Sequence, residues 1–172
     1  MEELQLPMDQ ALQTLDADAL MRFQRLQTAA VSAVTERFYA VHSAAYERFG
    51  ETGRDACRSD LAFHLEFLRP VLQFGMLKSM VDYLRWLNQV LAARGIPTQH
   101  LPQSLDWLAG FFAEHLPPNE GSVVAAAVHA GQSGLGCPRA YGISHCPVVN
   151  DLGAAEFNAS SPDRQTYPFG VC

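Results

Sequence analysis

From Asp16 onward the chain places apolar residues at steps of three or four. Leu20, Phe23, Leu26, Ala30, Val34, Phe38, Val41, Ala45 and Phe49 form the first such run, and that spacing draws one stripe along an α-helix. Asp16 or Asp18 stands where a cap belongs, and Gly50 stands where a helix ends. Roughly thirty residues is long for one helix, so a bend near Thr35 is expected. A second run carries Ala56, Leu61, Leu65, Leu68 and Leu72, with Thr52 as cap and Asp55 three residues on. Pro70 predicts a kink there or a stop at Arg69, and Gly75 ends the segment. The third run, residues 76–94, buries Leu77, Met80, Val81, Leu84, Leu87, Val90 and Leu91, and Gly95 and Pro97 close it. The fourth opens at Pro102, carries Leu105, Leu108, Ala109, Phe112 and Leu116, and meets Pro117 and Pro118.

Residues 16–116 contain no alternating strand pattern, so the fold class is all-α, a helical bundle. Ser122 to His129 is small and apolar and reads as one further short helix. Residues 131–172 hold six of the twelve glycines and four of the ten prolines, with no sustained period. The organisation expected is an N-terminal arm over 1–15, a helical domain over 16–130, and an irregular C-terminal extension over 131–172, disordered in part or used to bind a partner.

Charge narrows the function. Lys78 is the only lysine, and the net charge of −6 comes without any basic cluster. That excludes nucleic acid and an anionic membrane surface as main partners. No apolar run approaches the roughly 20 residues that span a bilayer, and Met1 to Asp18 has neither the basic region nor the apolar core of a signal peptide. Cys57, Cys137, Cys146 and Cys172 are irregularly spaced. The expectation is a cytoplasmic protein with reduced thiols.

Chemistry concentrates between Gly53 and Leu65. Arg54, Cys57, Asp60 and His64 recur at three- and four-residue steps and share one helical stripe. Arg54 and Arg58 are placed to favour a thiolate at Cys57, and Tyr83 or Trp86 from the third helix could stack on an extended ligand. The plainer reading makes Cys57 a small core residue and the Arg–Asp pairs surface decoration.

The string Ala56-Cys57-Arg58-Ser59-Asp60, followed by Phe63-His64-Leu65 and then Gly75, resembles the phycobiliprotein pattern. Leu91-Ala92-Ala93-Arg94-Gly95-Ile96-Pro97 is similar to that family's turn before its last helices. The resemblance covers about residues 49–116. It implies a globin-like fold and a linear tetrapyrrole, a bilin, joined to Cys57 by a thioether. Asp60 would accept from the inner pyrrole N–H groups, and Arg54 and Arg58 would hold propionates, although the family's usual arginine falls where Ser59 stands. Phe63 and His64 occupy positions that are usually aromatic. The leading segment is short for family-type pairing and the 131–172 extension has no counterpart, which points to a sensor or regulatory role rather than light harvesting.

Other constellations carry less. Cys137, His145, Cys146 and Cys172 lack the close C-x₂-C pair of zinc sites. His64 is an alternative haem ligand, or a hydrogen-bonded core histidine. There is no paired Glu-x-x-His, nucleophile elbow or phosphate loop, so the chain reads as non-enzymatic. A ligand-free interaction module is the competing reading, with Trp86, Trp107, Phe111 and Phe112 as a pocket or dimer face. A homo-oligomer or a partner protein is expected, because the first helix carries Phe23, Phe38, Tyr39, Tyr46 and Phe49 around much of its circumference.

Overall fold

The computed structural model describes residues 12–135. Five helices build it: α1 (Ala17–Tyr46), α2 (Gly50–Phe74), α3 (Leu77–Ala93), α4 (His100–His115) and α5 (Pro118–Gln132). Short 3₁₀ turns follow α1 (Glu47–Phe49) and α5 (Ser133–Leu135). No strand occurs among the described residues, and no described helix is long and apolar enough to cross a membrane. The architecture is an all-α bundle.

The Asp16 carboxylate caps α1 by accepting from the Ala19 N–H at 2.8 Å. The bend in α1 falls at His42 (φ −114°, ψ 23°) rather than near Thr35. Thr35 is buried mid-helix, and its hydroxyl donates to the Val31 carbonyl at 2.7 Å, so it is satisfied without breaking the helix. α2 starts at Gly50, two residues ahead of Thr52, and no side chain caps it. Thr52 is therefore an exposed residue of the first turns, not the cap. Pro70 neither stops α2 nor shortens it. The carbonyl it deprives of a partner belongs to Glu66, on the exposed side of the helix. Gly75, with φ 69°, then closes α2 as its sequence position suggested.

α4 opens two residues before Pro102, which sits in the first turn where an amide donor is dispensable. Pro118 is the first residue of α5. That helix is longer than the Ser122–His129 segment expected, and it passes the anticipated boundary at residue 130. Leu15, ahead of α1, is buried, and its N–H donates to the Leu72 carbonyl at 2.7 Å. Residues 1–11 and 136–172 lie outside the described residues.

α5 is packed against α2, α3 and α4. Val124, Ala127 and Val128 are buried along it, and glycines set how closely it approaches. A Cβ on Gly121 would lie 2.9 Å from Ala113 Cα of α4, and one on Gly131 would lie 2.9 Å from Met80 Cγ of α3. The Arg22 guanidinium pairs bidentately with Glu120, which ties the start of α1 to the start of α5. Phe23 meets Phe112 with ring centroids 4.6 Å apart. The aromatic surplus on α1 is used internally: Phe23, Phe38, Tyr39 and Tyr46 are all buried within the chain, and only Phe49 is exposed.

Candidate functional site

α2 and α3 run together from the Gly75 turn, and a groove of about 430 Å³ opens between them. Its walls are Asp60, Phe63 and Phe67 from α2, and Ser79, Asp82, Tyr83, Trp86 and Leu87 from α3. These positions follow from the helical period. Residues 60, 63 and 67 step by three and four on one helix, as do 79, 82 or 83, and 86 on the other. The Phe67 ring stacks on Tyr83 with centroids 3.9 Å apart and planes 4° from parallel. Trp86 is 50% exposed, Phe63 47% and Phe67 38%, so the groove presents aromatic surface to the outside.

Beneath that surface lie buried polar groups. Asp60 is 2% exposed and His64 is fully enclosed. Nδ1 of His64 lies 2.8 Å from the Tyr83 hydroxyl, at hydrogen-bonding distance. Burial first, and the Asp60 carboxylate second, push the Tyr83 hydroxyl above its ordinary range, so this phenol keeps its proton at neutral pH. The arrangement offers a flat aromatic floor with a buried carboxylate and a neutral phenol at one side. It can bind and orient a planar molecule by stacking and by accepting hydrogen bonds.

The structure divides the residues expected on one stripe. Asp60, Phe63, Tyr83 and Trp86 meet in the groove, with His64 bonded to Tyr83 behind it. Cys57, Arg54 and Arg58 are elsewhere. Cys57 is fully buried between α1 and α2, its sulfur 3.8 Å from the Thr35 hydroxyl oxygen. Arg54 lies over the Tyr39 ring at 4.4 Å and pairs with Glu36 at 3.3 Å. Arg58 pairs with Glu51 at 2.8 Å and Asp55 at 2.7 Å, and these hydrogen bonds raise its pKa. Both guanidiniums serve the α1–α2 surface and neither lines the groove.

The four rings expected together are also dispersed. Phe112 is in the core, Trp86 is in the groove, and Trp107 and Phe111 flank a second hollow of about 380 Å³ between α1 and α4. There Arg37 covers the Trp107 ring at 4.8 Å, and His115 stacks on Phe111 at 4.0 Å.

A polar–aromatic cluster at the α1 bend was not foreseen. His42 and His100 lie ring on ring, 4.1 Å apart. Nε2 of His42 is 2.6 Å from the Gln103 side-chain oxygen, and the Tyr46 hydroxyl is 2.7 Å from Nδ1 of His100. Burial, then the neighbouring His42, lower the His100 pKa to about 4. The sequence signal was available: His42 and Tyr46 are four apart, and histidines in apolar runs seek partners.

Among the described residues no three His, Cys, Asp or Glu side chains gather as metal ligands. Cys137, His145, Cys146 and Cys172 lie outside the described residues. No protein-family model matches this chain, and no curated protein or solved structure matches it either.

Proposed function

We propose that the chain is a non-enzymatic, globin-like binding module with a sensory or regulatory role, and that the α2–α3 groove takes a planar conjugated ligand, a linear tetrapyrrole foremost. The observation that carries this reading is the company Asp60 keeps. A buried carboxylate lies beside three exposed or half-exposed aromatic rings, Phe63, Phe67 and Trp86. Pyrrole N–H groups are donors that a carboxylate accepts with charge assistance, and the conjugated rings are surfaces that aromatic side chains stack on. Tyr83 and His64 would brace the Asp60 side of the ligand.

Covalent anchorage at Cys57 belongs to the same reading, on two conditions. Only a thiolate adds to a vinyl group, and the Cys57 side chain is fully buried, so anchorage calls for a reduced thiol and for the packing around it to open. The test is incubation of the full chain with a bilin, with and without reductant, read by visible absorption and intact mass. Uptake with a shifted absorption band is expected, weakened by Asp60→Asn and by Trp86→Ala. A mass increase lost in Cys57→Ala would assign the anchor. A colourless protein under both conditions removes the tetrapyrrole reading, and haem tested in parallel distinguishes ligation by His64.

A second reading, a ligand-free interaction module, is favoured by one observation. At the α2–α3 turn, Phe74 and Met76 are 67% and 50% exposed, which extends apolar surface beyond the groove. Sedimentation analysis over a wide concentration range tests it. Self-association weakened by Phe74→Glu supports the module, and a clean monomer overturns its homodimeric form.

A further inference from the structure

Among the described glycines, all but one have a structural reason to be glycine. Gly50, Gly75 and Gly95 adopt positive φ, and a Cβ on Gly53, Gly121, Gly131 or Gly134 would come within 3.0 Å of a neighbouring atom. Gly110 has neither reason. It is exposed in the interior of α4, with nothing within 4 Å of an added Cβ. Glycine is the poorest helix former after proline, so folding alone would favour alanine at this position. What its bare backbone does is floor the hollow of about 380 Å³ between α1 and α4.

Two rows of α4 line that hollow, Asp106, Gly110 and Glu114 in one and Trp107, Phe111 and His115 in the other. At one end the Arg37 guanidinium of α1 lies over the Trp107 ring at 4.8 Å. At the other, Nδ1 of His115 donates to the Phe111 carbonyl at 2.8 Å, which fixes the imidazole on the Phe111 ring. The Asp106 carboxylate is occupied, accepting from Nε2 of Gln132 at 3.0 Å and lying 3.7 Å from Nε2 of His129. Arg37 and Glu114 are different. They carry opposite charges on one hollow, yet neither makes an ion pair among the described residues. Trp107, which holds Arg37, and Glu114 are seven residues apart, roughly 10 Å along the helix axis. Charges kept apart in this way are spaced for a molecule that has a charge at each end.

We propose that the α1–α4 hollow binds a short zwitterion with an apolar body, of the size and charge spacing of a dipeptide. Its carboxylate meets the Arg37 guanidinium, its ammonium meets the Glu114 carboxylate, and its side chain lies over Gly110 between Trp107 and Phe111. A guanidinium presents a carboxylate with a planar pair of donors, and the two rings give an apolar side chain its contacts. The volume is in the range of small-molecule sites. A ligand with a carboxylate alone would leave Glu114 facing a like charge, and an amine alone would do the same to Arg37. The hollow shares no residue with the α2–α3 groove, so this inference does not rest on the ligand reading above.

The test titrates the dipeptide Gly-Phe into the full chain by calorimetry, and saturable binding is expected. N-acetyl-Gly-Phe lacks the cation and Gly-Phe amide lacks the anion, and each should bind at least about tenfold more weakly. Glu114→Gln and Arg37→Gln should erase those two preferences in turn. Gly110→Ala gives the sharpest readout. It should melt above the parent protein while binding Gly-Phe at least roughly threefold more weakly, a combination that general damage to the fold does not produce. Gly110→Leu, with its helical circular dichroism unchanged, should abolish binding. Location is read in full-length Trp86→Phe, in which Trp107 is the only indole, as a saturable change in its emission. No saturable binding, equal binding of the capped dipeptides, or undiminished binding by Gly110→Leu would each overturn the proposal.

Discussion

The Tyr46 hydroxyl lies 2.7 Å from Nδ1 of His100, across the contact between the bent end of α1 and the first turn of α4. His100 is only 4% exposed and has the His42 ring on its other side. Its pKa of about 4 sits below the ordinary histidine value of 6.5. The unfolded chain therefore binds a proton that the folded chain refuses between pH 6.5 and about 4. Stability should fall as pH drops through that window, by up to about 3 kcal/mol from this group. Urea unfolding of the wild type and His100→Gln at pH 7 and pH 4.5 checks it. The variant should be weaker at neutral pH and show a shallower loss on acidification.

Two glycines, one on each of the packed helices α4 and α5, should respond oppositely to alanine. Gly121→Ala drives a Cβ into Ala113 and should cost about 2–3 kcal/mol. Gly110 is exposed, with nothing within 4 Å of an added Cβ. Gly110→Ala should stabilise by about 0.5–1 kcal/mol through helix propensity alone. Thermal and urea denaturation of the two variants gives the comparison.

The caps can be ranked in the same way. Asp16→Ala removes the acceptor of the Ala19 N–H and should cost about 1 kcal/mol. Thr52→Ala removes no cap, because α2 already begins at Gly50, and should stay within about 0.5 kcal/mol. Equal losses in the two variants would mean that α2 starts later than Gly50.

Leu84 and Trp86 stand two residues apart on α3 and face different environments. Leu84 is fully buried, so Leu84→Ala should cost about 2–5 kcal/mol. Trp86 is half exposed, and Trp86→Ala should cost less than about 1 kcal/mol while weakening whatever the groove holds. Paired denaturation and binding measurements separate the core residue from the surface one.

Periodicity located the first four helices, because burial of an apolar stripe is a local property of the sequence, whereas α5 showed only as a small, apolar stretch over Ser122–His129 and runs from Pro118 to Gln132. It misjudged their ends where the backbone closes without side-chain help, as at Phe49–Gly50. The candidate site was half legible. Asp60 and Phe63 share a face with Tyr83 and Trp86 once α2 and α3 fold back at Gly75, and helical spacing announces that pairing. Arg54 and Arg58 lie on the same helix a turn or two earlier, but Glu36, Glu51 and Asp55 hold them. One of those three carboxylates comes from α1, and no one-dimensional pattern displays it. The tilted His42–His100 ring contact is hidden for the same reason, since its two rings are far apart in sequence and meet only where α1 bends.

The last helix in the described chain packs against three of the four before it. α5 fills space between α2, α3 and α4, and Glu120 closes on Arg22, 98 positions earlier. A nascent chain that has emerged only as far as Leu116 has no means of covering the faces that Val124, Ala127 and Val128 will occupy. Helices α1 to α4 should thus wait as a loose, sticky assembly during synthesis, and cooperative closure should begin only when the glycine-edged α5 slides into place.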